Sequence, residues 1–151
     1  MAVANSNEIY LSDPQNNRIL KIDANGNAKD FIKLPERFQP SRLIFDAKNG
    51  IFWIINNRSH AVESYNRIGN LKASIAVFDF DFQGIGLSSD NALFLINKNG
   101  TGIWRIDQKG DFRLYYGPRN ISFVATDIVL GKERIHILDY QNRILSFKIP
   151  Q

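Results

Sequence analysis

A chain of 151 residues, 44% hydrophobic and 23% charged, has the size and composition of one folded domain and not of a disordered tract. The absence of cysteine excludes disulfides, thiolate metal sites and a cysteine nucleophile, and no unbroken apolar run is longer than residues 51–55, too short to cross a bilayer as a helix. A net charge of +4 permits an anionic partner without requiring one.

In chain order the elements form a unit that recurs four times. The first copy opens on Ala2-Val3-Ala4 and continues with Ile9-Tyr10-Leu11, which ends at Asp13. Ile19 to Asp23 follows, then a turn at Asn25-Gly26, then Ala28 to Ile32. The second copy runs Leu43-Ile44-Phe45, then Phe52 to Ile55 ending at Asn56, then Val62 to Asn66, a turn at Gly69, and Leu71 to Ala76. The third runs Ile85-Gly86-Leu87, then Leu93 to Ile96 ending at Asn97, then Ile103 to Asp107, a turn at Gly110, and Phe112 to Tyr116. The fourth runs Ile128-Val129-Leu130, then Ile135 to Leu138 ending at Asp139, then Ile144 to Lys148. The anchors Asp13, Asn56, Asn97 and Asp139 stand 43, 41 and 42 residues apart, a period that marks repeat architectures.

These segments read as strands. They are short and rich in β-branched and aromatic residues, turn residues bound them, and all five prolines fall between them. No segment sustains a 3.6-residue period, so almost no helix is expected. The second segment of each copy is apolar at successive positions, as in a strand covered on both faces. The first is the smallest in volume, which suits a crowded axis. Both features predict an all-β fold, a β-propeller arc of about four four-stranded blades, with a β-sandwich as its rival. Blade boundaries are expected near 1–35, 36–78, 79–120 and 121–151.

The run from Ile9 to Gly26 resembles an NHL repeat: an apolar strand ending at Asp13, then Asn17-Arg18-Ile19, then Asp23 and Gly26. Ile137-Leu138-Asp139-Tyr140-Gln141-Asn142-Arg143-Ile144-Leu145 repeats its core. The middle copies drift, with Asn at the anchor and His60-Ala61 or Gly100-Thr101-Gly102 in place of Asn-Arg. Streptogramin-lyase-like and gluconolactonase-like propellers share the spacing. The resemblance implies a ring of six or more blades. The arc is therefore expected to expose apolar sheet faces and to be completed by a longer chain, by a partner or by a second copy; a collapsed four-bladed ring is the remaining arrangement.

Asp13, Asn56, Asn97 and Asp139 are expected to cap turns, because Asn can accept the same amide hydrogens as Asp but could not replace it as a catalytic or metal-binding acid. Arg18, Arg58, Lys98 and Arg143 follow the anchors, and by repeat symmetry their loops share one face with Phe38, Phe82, Arg119 and Tyr140. That face, with His60 in its loop, is the expected binding surface for a protein or peptide. The resemblance also allows RNA, with arginine on phosphate and aromatics against bases, although Asp13, Asp79, Asp81 and Asp139 mix the field. His60 and His136 show no metal-binding spacing. His136 is expected inside a strand, and His60 with Glu63 is the one local pair that a lyase-type relative could use. Where gluconolactonase-like propellers hold a cation, this chain offers Ser41, Gln83 and Thr126-Asp127, too few acids for a hard ion. No metal and no cofactor is expected, and the chain is expected not to be an enzyme. Asn57-Arg58-Ser59, Asn99-Gly100-Thr101 and Asn120-Ile121-Ser122 match the glycosylation triplet, which matters only for a secreted eukaryotic protein. No charged leader ahead of an apolar stretch is seen, no membrane insertion is expected, and the compartment stays unassigned.

Overall fold

The computed structural model describes residues 2–3, 8–36, 38–77, 81–99, 102–107, 109–116 and 123–149. Among them are fifteen strands and no helix. The strands form four antiparallel sheets, each in simple meander order. Two compact units divide the chain, residues 1–79 and 80–151, and each holds two sheets.

In the first unit, β1 (Ala2–Val3), β2 (Ile9–Asp13), β3 (Arg18–Ile22) and β4 (Ala28–Lys33) make one sheet. The second sheet holds β5 (Pro40–Asp46), β6 (Ile51–Asn56), β7 (Ala61–Asn66) and β8 (Leu71–Ala76). One apolar core joins the two sheets. Tyr10, Ile19 and Ile32 come from the first, and Leu43, Phe52, Ile54 and Tyr65 from the second. The aromatic rings interlock: Tyr10 lies 4.6 Å from Phe52, and Phe45 lies 4.7 Å from Phe52.

The second unit repeats the plan. Its first sheet holds β9 (Phe82–Leu87), β10 (Leu93–Asn97), β11 (Ile103–Ile106) and β12 (Phe112–Tyr116). Its second holds β13 (Ala125–Leu130), β14 (Arg134–Asp139) and β15 (Ile144–Lys148). Phe94, Ile96 and Ile103 face Ile128, Ile135 and Ile137 across this core. Gly84 and Gly86 sit on β9 where the sheets approach most closely. A methyl group at Gly84 would stand 3.2 Å from Ile128, and one at Gly86 would collide with Leu130. The small residues of β9 therefore serve sheet-to-sheet contact, whereas β5 and β13 carry Leu43, Phe45, Ile128 and Leu130 at the matching places.

The expected double burial of the second strand holds in the middle copies only. All five residues of β10 are buried, and most of β6 is. In β14 burial alternates, with Ile135, Ile137 and Asp139 inside. The other face of that sheet carries Val129, Leu138 and Ile144, which are 65%, 42% and 72% exposed. Cross-strand pairing sets Val129 beside His136 and Leu138 between Asp127 and Ile144, so this face mixes apolar and polar side chains.

A five-residue turn closes many of the hairpins. An Asp or Asn side chain accepts the amides two and four residues on, and the residue three on adopts a positive φ. Asp23, Asn66 and Asp107 do this with Gly26, Gly69 and Gly110. Asp139 does it with Asn142 at φ 58°. Glycine carries no steric penalty there, and asparagine tolerates the conformation better than most residues.

Candidate functional site

The anchors stand where a second strand leaves its sheet. Asp139 is buried, and its Oδ1 accepts the amides of Gln141 and Arg143 at 2.9 and 2.8 Å. Its Oδ2 accepts Arg143 Nε at 2.8 Å. Burial alone would raise this carboxyl, but Arg143 and the amides outweigh it and hold the pKa below the ordinary carboxylate value. Asn56 performs the same task without charge, its Oδ1 taking the amides of Gln39, Arg58 and Ser59 at 3.3, 3.2 and 3.3 Å. Asp13 works through side chains: Asn16 Nδ2 donates to both its oxygens and Arg18 Nε donates at 2.9 Å. Those bonds lower its pKa as well. Asn97 is buried at the matching place in the third copy.

The connections between sheets tie these loops together inside each unit. In the first, the Leu34 amide donates to the carbonyl of Asn17, and the Gln39 amide to the side chain of Asn56. Leu34 and Gln39 thus fasten successive anchor loops, and both loops lie at one end of that unit. In the second, the Lys98 amide donates to Asp81 and the Tyr140 amide to Val124, each at 2.8 Å. Each anchor loop there is fastened to the segment that leads into its own sheet.

The side chains read from sequence as binding residues separate into three groups. Arg18 and Arg143 are spent on ion pairs, the first with Asp13 and Asp30, the second with Asp139. Phe38 and Phe82 are 2% and 1% exposed, so neither ring faces solvent as a surface contact should. Phe38 packs against Tyr65 at 6.1 Å, and Phe82 against Phe112 at 6.1 Å. Their apolar bulk, set beside short loops, is drawn into the sheets. Arg58, His60, Lys98 and Tyr140 remain exposed on turns, Tyr140 at 78%. His60 holds a φ of 48°, and its carbonyl accepts the Val77 amide at 2.8 Å. Arg119 lies outside the described residues.

The remaining polar candidates are engaged. Glu63 accepts the Tyr65 hydroxyl at 2.7 Å and Asn56 Nδ2 at 3.4 Å. His136 Nδ1 lies 2.9 Å from Ser146 Oγ across the β14–β15 ladder. Gln83 donates to the Ala125 carbonyl, Thr126 to Leu138, and the Asp127 carboxylate accepts the Ile128 amide. Among the described residues no three His, Asp or Glu side chains come together as a metal ligand set.

One feature escapes sequence reading. The β3–β4 and β11–β12 ladders each carry a bulge, and the extra residue is Phe31 in one and Tyr115 in the other. A bulge re-aims a side chain, and here it sends an outer-strand ring into the core. A register shift leaves no mark in the apolar pattern of a single strand.

No protein-family model matches the chain, and no curated protein matches it. Solved structures do. The chain is similar to virginiamycin B lyase from Staphylococcus aureus, with 20% identity, a TM-score of 0.70, and coverage of 98% of this chain and 54% of that one. It is similar to a chain in a nidogen/laminin complex, with 12% identity, a TM-score of 0.75 and coverage of 96% and 57%. It is also similar to a protein classed as a gluconolactonase, with 12% identity, a TM-score of 0.73 and coverage of 97% and 56%. The fold is that of a β-propeller, and this chain spans about half the length of the propellers it matches.

Proposed function

We propose that this chain is a non-enzymatic, NHL-like propeller module that binds a protein or peptide through the anchor-loop ends of its sheets. The carrying observation is how the loop side chains are used. Arg18 and Arg143 stiffen their own turns, while Arg58, Lys98 and an almost fully exposed Tyr140 project from turns held by buried caps. Rigid turns that present an aromatic and separate cations favour recognition, because little side-chain and loop order is lost on contact. The likeness to a chain from a nidogen/laminin complex supports the same reading. A lyase-type pairing of His60 with Glu63 is disfavoured, since Glu63 already serves Tyr65 and Asn56. The exposed neighbours Leu138 and Ile144, with Val129 on the same face, supply a second contact surface, suited to another sheet of the same kind from a partner or a second copy.

Selection of displayed random peptides on the full chain, followed by calorimetry, tests the reading. Selected peptides should lose at least tenfold in affinity on Tyr140→Ala with Lys98→Glu, with a shallow salt dependence. Binding of oligouridylate that falls steeply with salt and vanishes on Arg58→Glu would replace this reading with a polyanion-binding one.

A further inference from the structure

The two units differ at one matching place. In the first, the crevice between the sheets at the end away from the anchors is plugged. Phe45 stacks with Tyr10 and Phe52 there, and the Arg67 guanidinium lies 5.0 Å above the Phe45 ring. By repeat position the second unit has Leu130 in place of Phe45 and Ile149 in place of Arg67. There a cleft of about 480 Å³ lies between the sheets, with Ile149 in its lining.

The walls of this cleft have a definite chemistry. Phe94, Arg105 and Arg113 are cross-strand neighbours in one row over β10, β11 and β12. Lys132 and Lys148 line the cleft from the facing sheet. Two carboxylates, Asp90 and Glu133, offset half of these four cations. Asp90 is held by Arg105 at 3.3 Å and by the Ser88 hydroxyl, which sets the guanidinium in place without filling the cleft. Phe94, Tyr115 and Ile149 supply an apolar lining.

We propose that this cleft binds a small organic anion with a planar apolar body, an aryl phosphate being the best match. The body would lie against Tyr115 and Ile149, and the dianionic head would bridge the arginines of one sheet and the lysines of the other. Arginine forks suit phosphate oxygens, and cations on two facing walls suit two charges better than one. The site is separate from the anchor-loop surface and does not rest on it.

Phenyl phosphate titrated into isotopically labelled full-length chain, with amide shifts followed by NMR, is the test. Saturable shifts should centre on Ser89, Asp90, Arg113, Tyr115 and Lys132, with a dissociation constant below about 1 mM. Benzoate and inorganic phosphate should each bind at least fivefold more weakly. Arg113→Glu with Lys132→Glu should abolish binding, and Arg58→Glu should leave it unchanged. Ile149→Trp, which fills the cleft without altering charge, should also abolish it, so the answer does not depend on one variant folding. No saturable shifts up to 10 mM, equal affinity for inorganic phosphate, or unchanged binding in the folded variants would overturn the proposal.

Discussion

Tyr115 meets the ring of Phe94 edge-on at 5.0 Å, and Phe31 meets Tyr10 in the same manner at 4.8 Å. The pairs occupy equivalent repeat positions in the two units, and each outer-strand ring arrives through a bulge. Edge-on aromatic pairs add to area burial, so the bulges act as core-building devices. Phe31 is partly buried against that core, so Phe31→Ala should cost about 2 kcal/mol, below the range for removal of a fully buried phenyl ring. Chemical denaturation measures it, and a loss below about 1 kcal/mol would mean that the ring is not part of the core.

The charged caps predict a pH profile. Asp13, Asp23, Asp107 and Asp139 all have folded pKa values below the ordinary carboxylate value. The stability they contribute is fully present above the unfolded value, about 3.9, and is lost as pH falls through the lower folded values. The melting temperature should be level from neutral pH down to about 4 and fall below it. Asp139→Asn should flatten part of that fall while keeping the turn, as Asn56 does; Asp139→Ala should lose more stability at every pH.

The alkaline limb has the opposite sign. Burial, followed by the hydrogen bond to Glu8, pushes the Tyr10 phenol up to about 12, and Tyr65 is raised by burial and Glu63. Stability from both is complete below the unfolded value near 10 and is lost as pH rises through the folded values. Ultraviolet titration should show these two tyrosines ionising late and together with unfolding. Titration of all five near pH 10 in the folded protein would contradict it.

Much of the fold is legible in the sequence because strand period, turn glycines and anchor spacing are local signals. Gly26, Gly69 and Gly110 are readable because an αL position excludes most other residues. The anchors are readable because Asp exchanges with Asn, which a capping role tolerates without loss. The candidate site is less so. Phe38 and Phe82 lie next to loops in sequence yet inside the sheets in space, and burial is a tertiary property. The bulges and the cleft between β10–β12 and β13–β15 depend on register and on volumes at facing positions, which one strand's pattern does not carry.

The exposed Val129, Leu138 and Ile144 on β13–β15 predict association. Sedimentation of the isolated chain should give species heavier than 17.3 kDa, and Leu138→Lys with Ile144→Lys should shift the distribution towards that mass. A wild-type chain that sediments solely as a monomer would show that water tolerates this face uncovered.

In the second unit the sheets stack so closely that β9 must carry small residues facing β13, and a double-mutant cycle on Gly86 and Leu130 tests this most directly. Gly86→Ala alone should destabilise by about 1–3 kcal/mol through overpacking. In a Leu130→Ala background the same change should cost little, leaving a coupling of at least about 1 kcal/mol. Additivity within about 0.5 kcal/mol would show that the two positions do not meet, and the stacked-sheet account of this unit would be wrong.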